Sequence, residues 1–231
     1  MSHSVHPYAH RLVELRDWKS RWFGQDRKEY TRLLKIDVLV REFLQKRMKG
    51  MQVSSLEFER SQKQTKLIIR TGRPGMVIGR SGDGVTKLRQ DIATFIRKKK
   101  LPQPQEIVLD ILEVGNPEAD AAIVGQTIAE MLEKRMTFRR VMKQMTEKVM
   151  QARGVKGVRI VLSGRLGGSD MARVEEIHKG SIPLQFIRAD IDFSRERANL
   201  SYGVIGIKVW IYKGDSLVNT ISAAPANNKN A

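Results

Sequence analysis

The sequence predicts an α+β chain of two units: helices on a three-stranded sheet, then two helices on a four-stranded sheet. Three observations predict it. Apolar periodicity switches in the order helix–strand–strand–helix–helix–strand as far as Glu113, and then in the order helix–helix followed by four strands. Gly115-Asn116-Pro117 breaks the chain between the two series. The length of 231 residues, 41% of them apolar, suits one to two domains with real cores.

Residues 1–26 read as an arm that mixes basic residues with Tyr8, Trp18, Trp22 and Phe23. Such a mix can thread into folded RNA; equally, the arm can pack its aromatics on its own domain. The first unit spans 27–114. Its opening helix, 27–49, carries Leu33, Leu34, Ile36, Val38, Leu39, Phe43 and Leu44 on a broad apolar face and ends at Gly50. Strand 52–60 alternates Leu56 and Phe58 with Glu57 and Glu59, and a turn over 61–64 leads into strand 65–70. A helix over 83–98 places Val85, Leu88, Ile92, Phe95 and Ile96 on one side. A loop at 101–104 precedes the apolar strand 107–113.

Between the second strand and that helix lies TGRPGMVIGRSGDG, residues 71–84. One apolar helical turn, Met76-Val77-Ile78, runs into Gly79-Arg80-Ser81-Gly82. Two glycines let the backbone turn tightly with no Cβ in the way. The helix behind them turns its free N–H groups and positive end toward the turn. Arg73, Arg80, Lys87 and Arg89 surround it with mobile charge, and Arg73, Gly79, Arg80, Ser81, Gly82 and Lys87 form a candidate phosphate cradle. The alternative is a helix–turn–helix elbow whose glycines serve only close packing.

The second unit spans 115–213. Two helices, 118–134 and 137–153, are expected first. Across 134–156 there are eight Lys and Arg and one acid, Glu147. Val141, Met145 and Val149 share one face, and Arg139, Arg140 and Lys143 gather at the start of the helix. An ordinary solvated helix interleaves its signs, so this face reads as a phosphate contact. Four strands follow, near 158–163, 170–178, 184–193 and 202–211. The turn Gly164–Ser169 carries Arg165, a further candidate contact, and a charged loop is expected after Phe193. Residues 214–231 are expected to be a flexible tail.

Charge points to the partner. Forty-two Lys and Arg against twenty-five Asp and Glu leave +17, which calls for a polyanion, with nucleic acid ahead of an anionic membrane. Aromatics are only 6%, so phosphate contact should outweigh base stacking and binding should depend steeply on salt. The chain has no cysteine, hence no disulfide or thiolate chemistry. It shows neither a signal-peptide core nor eighteen consecutive apolar residues, so a soluble cytosolic protein is expected.

Catalytic patterns are missing. There is no GxxxxGK[ST] and no GxGxxG after a strand. His3, His6 and His10 lack a Cys or carboxylate at ligand spacing, so neither metal nor cofactor is expected. Asp190 and Asp192 stand two apart on a strand and read as a satisfied pair rather than a metal site.

The element order and the loop at Ile78–Gly82 resemble a type II KH domain, whose GxxG loop clamps single-stranded RNA. More widely, the chain resembles the bacterial ribosomal protein S-three family over about residues 5–213. The resemblance rests on Val5-His6-Pro7, Arg73–Gly79, Phe138–Lys143, Ser163–Gly168, Arg188–Asp192 and Tyr202–Ile211. It implies a non-enzymatic component of the small ribosomal subunit that binds 16S ribosomal RNA beside proteins S-ten and S-fourteen. It also implies that Arg139, Arg140 and Lys143 line the channel by which messenger RNA enters, holding and unwinding it. Arg80-Ser81 stands where the family usually has two lysines or Lys-Gly, so one cation is absent. The alternative is a free-standing KH-type regulator or assembly factor; an RNA-processing enzyme is a third reading.

Overall fold

The computed structural model describes residues 5–12, 14–61, 64–99 and 106–215. Gly214 and Asp215 of the expected 214–231 tail are instead the end of the last strand; the rest of that tail, the 101–104 loop, His3 and the middle of the 61–64 turn lie outside the described residues.

The first sheet has four strands rather than three, in the order β1-β2-β3-β4. The extra strand, β1 (Ser20–Arg21), comes from the arm and lies parallel to β2 (Val53–Arg60). β2 runs antiparallel to β3 (Thr65–Thr71), and β3 parallel to β4 (Ile107–Glu113). α1 (Arg27–Arg47) and α3 (Asp83–Lys98) pack on this sheet, with the short α2 (Pro74–Ile78) leading into α3. Ile36, Val40 and Leu44 of α1 meet Leu56, Phe58, Leu67 and Ile69 of the strands and Leu88, Ile92 and Ile96 of α3. The rings of Phe43 and Phe95 stack at 4.6 Å between centroids. Leu34 and Val38, expected on the buried face of α1, are exposed. Its inward stripe is narrower than the sequence suggested, and it includes Asp37, which Trp22 and Arg60 satisfy.

The second domain stacks α4 (Ala121–Glu133) and α5 (Phe138–Gln151) on an antiparallel sheet of order β6-β5-β8-β7. Its strands are β5 (Gly157–Gly164), β6 (Arg173–Gly180), β7 (Ala189–Leu200) and β8 (Gly203–Asp215). Ile128 and Leu132 of α4, Val141, Met145 and Val149 of α5, and Val158, Ile160, Leu162, Ile205, Ile207 and Val209 of the strands form its core. Asp120 begins α4 by accepting the N–H groups of Ala122 and Ile123.

β7 corrects two expectations. The strand starts at Ala189, and Phe186 and Ile187 are exposed in the turn before it. The expected charged loop after Phe193 is strand as far as Leu200, paired with β8 throughout. Its charges belong to an edge strand, where Arg195, Arg197 and Asn199 face water while Ala198 faces the core.

The arm is docked on both domains. Tyr8 joins Ala189, Ile191, Phe193, Trp210 and Tyr212 in a third apolar cluster. Arg11, 1% exposed, donates to the carbonyls of Ala189, Pro7, Leu184 and Phe186 at 2.7–3.2 Å. Arg16 pairs with Asp190 at 2.7 Å. Five residues on, Arg21 donates to Glu57 and Glu59 of β2, and Trp22 to Asp37 of α1. Direct bonds also join the two domains: Ser54 to Asp120, Gln126 Nε2 to the Val53 carbonyl, and Lys49 to Glu133. Of the two roles open to the arm's aromatics, packing on its own protein is the one seen for Tyr8 and Trp22; Trp18 and Phe23 remain exposed.

Candidate nucleic-acid interface

The predicted residues fall into two groups on different domains. The first surrounds the turn between α2 and α3. Gly79 adopts φ +72 and Gly82 φ +84, as a turn needing left-handed glycines requires. Ser81 between them is also left-handed, at φ +54. Gly84, not singled out as a site residue, is the tightest position. A Cβ there would stand 2.5 Å from the Val77 carbonyl oxygen and 2.7 Å from that of Ile78, so only glycine lets α3 start against the end of α2. Val77 is buried and anchors the turn, whereas Met76 and Ile78 are exposed.

Gly82 caps α3 without a side-chain hydrogen bond, so the first N–H groups of that helix have no side-chain acceptor from the cap. Arg73, Arg80, Ser81 and Lys87 are exposed around it. Asp83, in the first turn of α3, sets one negative charge against that cationic ring. Arg89, nearby on α3, pairs with Glu106 at 3.7 Å.

The second group lies on α5. Val141, Met142, Met145 and Val149 are buried, so the helix's remaining face, with Arg139, Arg140 and Lys143, points to water. Thr137 caps α5 with no side-chain hydrogen bond, leaving the positive helix end next to Arg139 and Arg140. The ion pairs of this domain involve other cations: Lys148 in the last turn of α5 with Glu118, and off the helix Arg159–Glu176, Arg165–Asp170 and Arg173–Glu175. Among the described residues no carboxylate pairs with Arg139, Arg140 or Lys143.

Arg165 is differently placed. Its Nε donates to the Ser169 carbonyl at 2.8 Å, one terminal nitrogen donates to the Tyr202 carbonyl at 3.2 Å, and the other meets Asp170 at 3.3 Å. It clamps the Gly164–Ser169 turn and keeps part of its guanidinium in solvent.

Buried groups of both signs meet where the arm joins both domains, beside an open cleft of about 1430 Å³. Burial by itself would raise the Asp192 carboxyl. Lys213 and Arg16, with hydrogen bonds from Tyr8 and the Ala121 N–H, outweigh it and hold the group below the usual carboxylate range. Asp120 beside it goes the other way, raised by burial and by the charge of Asp192. Burial and Arg41 lower the Lys19 ammonium. The cleft is lined by both signs, with Arg16, Lys19 and Arg41 facing Glu57, Asp120 and Asp192. Unlike α5, it is no one-sign track for a polyanion. The Asp190–Asp192 pair is satisfied by Arg16, Tyr8 and Lys213.

Two family matches divide the chain as the fold does. Residues 39–119 match the family described as "KH domain", and residues 128–211 match "Ribosomal protein S3, C-terminal domain". A protein of Caldicellulosiruptor bescii named "Small ribosomal subunit protein uS3" is 43% identical over 224 residues, 97% of each chain. One of the same name from Clostridium novyi is 41% identical over 217 residues, 94% of this chain and 95% of that one. The chain belongs to the uS3 family of small-subunit ribosomal proteins.

Membership makes it an RNA-binding component of the small ribosomal subunit, and so of the cytoplasm. The uS3 family consists of structural ribosomal proteins, not enzymes. Among the described residues no helix is long and apolar enough to cross a membrane. The KH and C-terminal S3 matches agree with the expected α+β class. Sequence reasoning missed Gly84 within the interface; its signal was the third glycine in GRSGDG at the start of a helix.

Proposed function

We propose that this uS3 protein works at two RNA surfaces of the small subunit. On α5, Arg139, Arg140 and Lys143 face incoming messenger RNA in the channel by which it enters, and help to hold it and open its duplexes. On the KH domain, Arg73, Gly79, Arg80, Ser81, Gly82 and Lys87 meet phosphates of 16S ribosomal RNA, with Arg165 presenting the solvent edge of its guanidinium from the second domain. Proteins S-ten and S-fourteen are its neighbours.

One observation carries the reading. Arg139, Arg140 and Lys143 are exposed beside an uncapped helix start, and among the described residues no carboxylate pairs with any of the three, although Lys148 further along the helix meets Glu118. A surface helix that served only solubility would pair such charges along its length. Pre-set cations on a rigid helix lose little freedom when they meet a phosphate chain.

The test replaces Arg139, Arg140 and Lys143 together with Ala in assembled subunits. None of the three fills the core, so folding and incorporation should be unchanged. Translation through a stable hairpin should slow, while translation of an unstructured message should not. Equal rates on both messages in mutant and parent ribosomes would remove the assignment.

A further inference from the structure

The first residue of α5 and the first residue of β6 are tied together. Phe138 opens α5, and the guanidinium carbon of Arg173 lies 5.4 Å from the centroid of its ring. The guanidinium carbon of Arg139 lies 5.6 Å from the same centroid. Both distances are within cation–π range. Phe138 is half-buried and packs against the core of the second domain, so the ring is a fixed platform. It also faces the glycine turn, since a Cβ at Gly167 would come 3.7 Å from its Cε1.

The register of β6 puts Arg173 on this side. Residues alternate across a strand, so Arg173, Glu175 and Ile177 share a face. Ile177 packs into the core beneath the helices, and at the strand's beginning Arg173 reaches over the end of α5. Arg173 Nε meets Glu175 Oε1 at 3.0 Å. That uses one of five donors and leaves the terminal nitrogens of an exposed side chain free to bond elsewhere.

We propose that Arg173 is a fourth phosphate-contacting cation of the α5 surface, and that Phe138 is the positioning residue that sets Arg139 and Arg173 side by side. This rests on the reading of α5 as a message-facing surface, and extends it from one helix onto the edge of the sheet. The ligand is the sugar-phosphate backbone of a single strand. A guanidinium seated over a ring offers several donors from one planar fork, which a lysine at the same place would not do.

The protein contains its own control. Arg159 has the same surroundings on the other face of the sheet: its guanidinium carbon lies 5.3 Å from the Trp210 ring, and it pairs with Glu176 at 2.5 Å. Removing Arg159 deletes the same charge from the same kind of platform, away from α5.

The experiment titrates full-length protein with a labelled oligouridylate across a salt series and reads the slope of log affinity against log salt. Arg173→Gln should flatten the slope by about 0.7, the value of one phosphate contact on a single strand. Phe138→Leu should flatten it at least as much, and adding Arg173→Gln to it should change little further. Arg159→Gln should leave the slope as it was. Thermal unfolding of Arg173→Gln should match the parent, so its effect is not one of folding. An unchanged slope for Arg173→Gln overturns the proposal, as does an equal loss in Arg159→Gln. The Arg139, Arg140 and Lys143 triple variant separates the two levels. If it flattens the slope and Arg173→Gln does not, the α5 reading stands without its extension. If it does not flatten the slope either, both fall.

Discussion

The Tyr8 hydroxyl donates to Asp192 Oδ1 at 2.5 Å across 184 residues of sequence. That bond joins the arm to the second domain, at the point where the other Asp192 oxygen accepts the first N–H of α4. One carboxylate therefore holds the arm, the start of a helix and an edge strand together. Burial and the Asp192 charge push the Tyr8 phenol far above its ordinary value, so it stays a proton donor. Tyr8→Phe keeps the ring in its apolar cluster and deletes only the donor. It should lower stability by about 2 kcal/mol, the usual worth of a hydrogen bond to a charged group. Urea unfolding would read this as a lower midpoint at unchanged slope; an unmoved midpoint would mean the arm is held by packing alone.

Asp192 also predicts the acid limb of the stability curve. Its carboxyl is held below the ordinary 3.8, so on acidification the unfolded chain takes up the proton first. Between the depressed folded value and 3.8 the unfolded state binds more protons, and stability rises with pH. The contribution is fully present above 3.8 and is lost as pH falls through the folded value. Asp120, raised instead, opposes this over a higher range: its folded form keeps the proton longer, so it costs stability as pH rises past 3.8. Asp192→Asn should cost about 3 kcal/mol at neutral pH, because Arg16 and Lys213 lose their buried partner. It should also flatten the acid side of the curve. If the variant and the parent lose stability in parallel on acidification, another carboxylate controls that limb.

Much of the fold was legible because its elements follow simple periods. Val141, Met145 and Val149 gave away the buried face of α5 by their spacing alone, and Leu88, Ile92 and Ile96 did so for α3. The arm's docking was not legible. β1 is two residues long, and its partner strand lies more than thirty residues ahead in sequence. Arg11 reads as one more surface cation until its four carbonyl acceptors are in place, and none of them is a side chain. β7 was misread because an edge strand can carry charge on its outer side, so Arg195 to Asn199 looked like a loop. The cations of α5 and of the GxxG turn were visible because composition is a sequence property. The aim of Arg165 into its own turn was not, since it depends on the Tyr202 carbonyl reached from another strand.

Gly84 is the position at which the GxxG turn should fail. Gly84→Ala forces a Cβ against two carbonyl oxygens, and neither belongs to a flexible side chain. The end of α2 has to move, at a cost of about 2 kcal/mol, as for other overpacked sites. Gly82→Ala meets no atom within 4 Å and is strained only by its φ of +84, a cost of about 1 kcal/mol. Thermal unfolding should rank Gly84→Ala below Gly82→Ala. The opposite rank would mean that backbone conformation, not the approach of the two helices, decides this turn.

Ser81 offers a gain rather than a loss. It is exposed, lies between Arg80 and Gly82, and already carries a Cβ at φ +54. Lysine there adds a cation without adding backbone strain that serine does not already carry, so Ser81→Lys should leave stability within about 0.5 kcal/mol of the parent. If the turn faces phosphates, the new charge should steepen the salt dependence of single-strand binding by about 0.7 in log–log slope. The same substitution in Gly84→Ala protein should gain less, because the charge then sits on a displaced turn. A steepening of equal size in both backgrounds would show that the lysine acts through net charge, and that the shape of the GxxG turn does not matter for RNA.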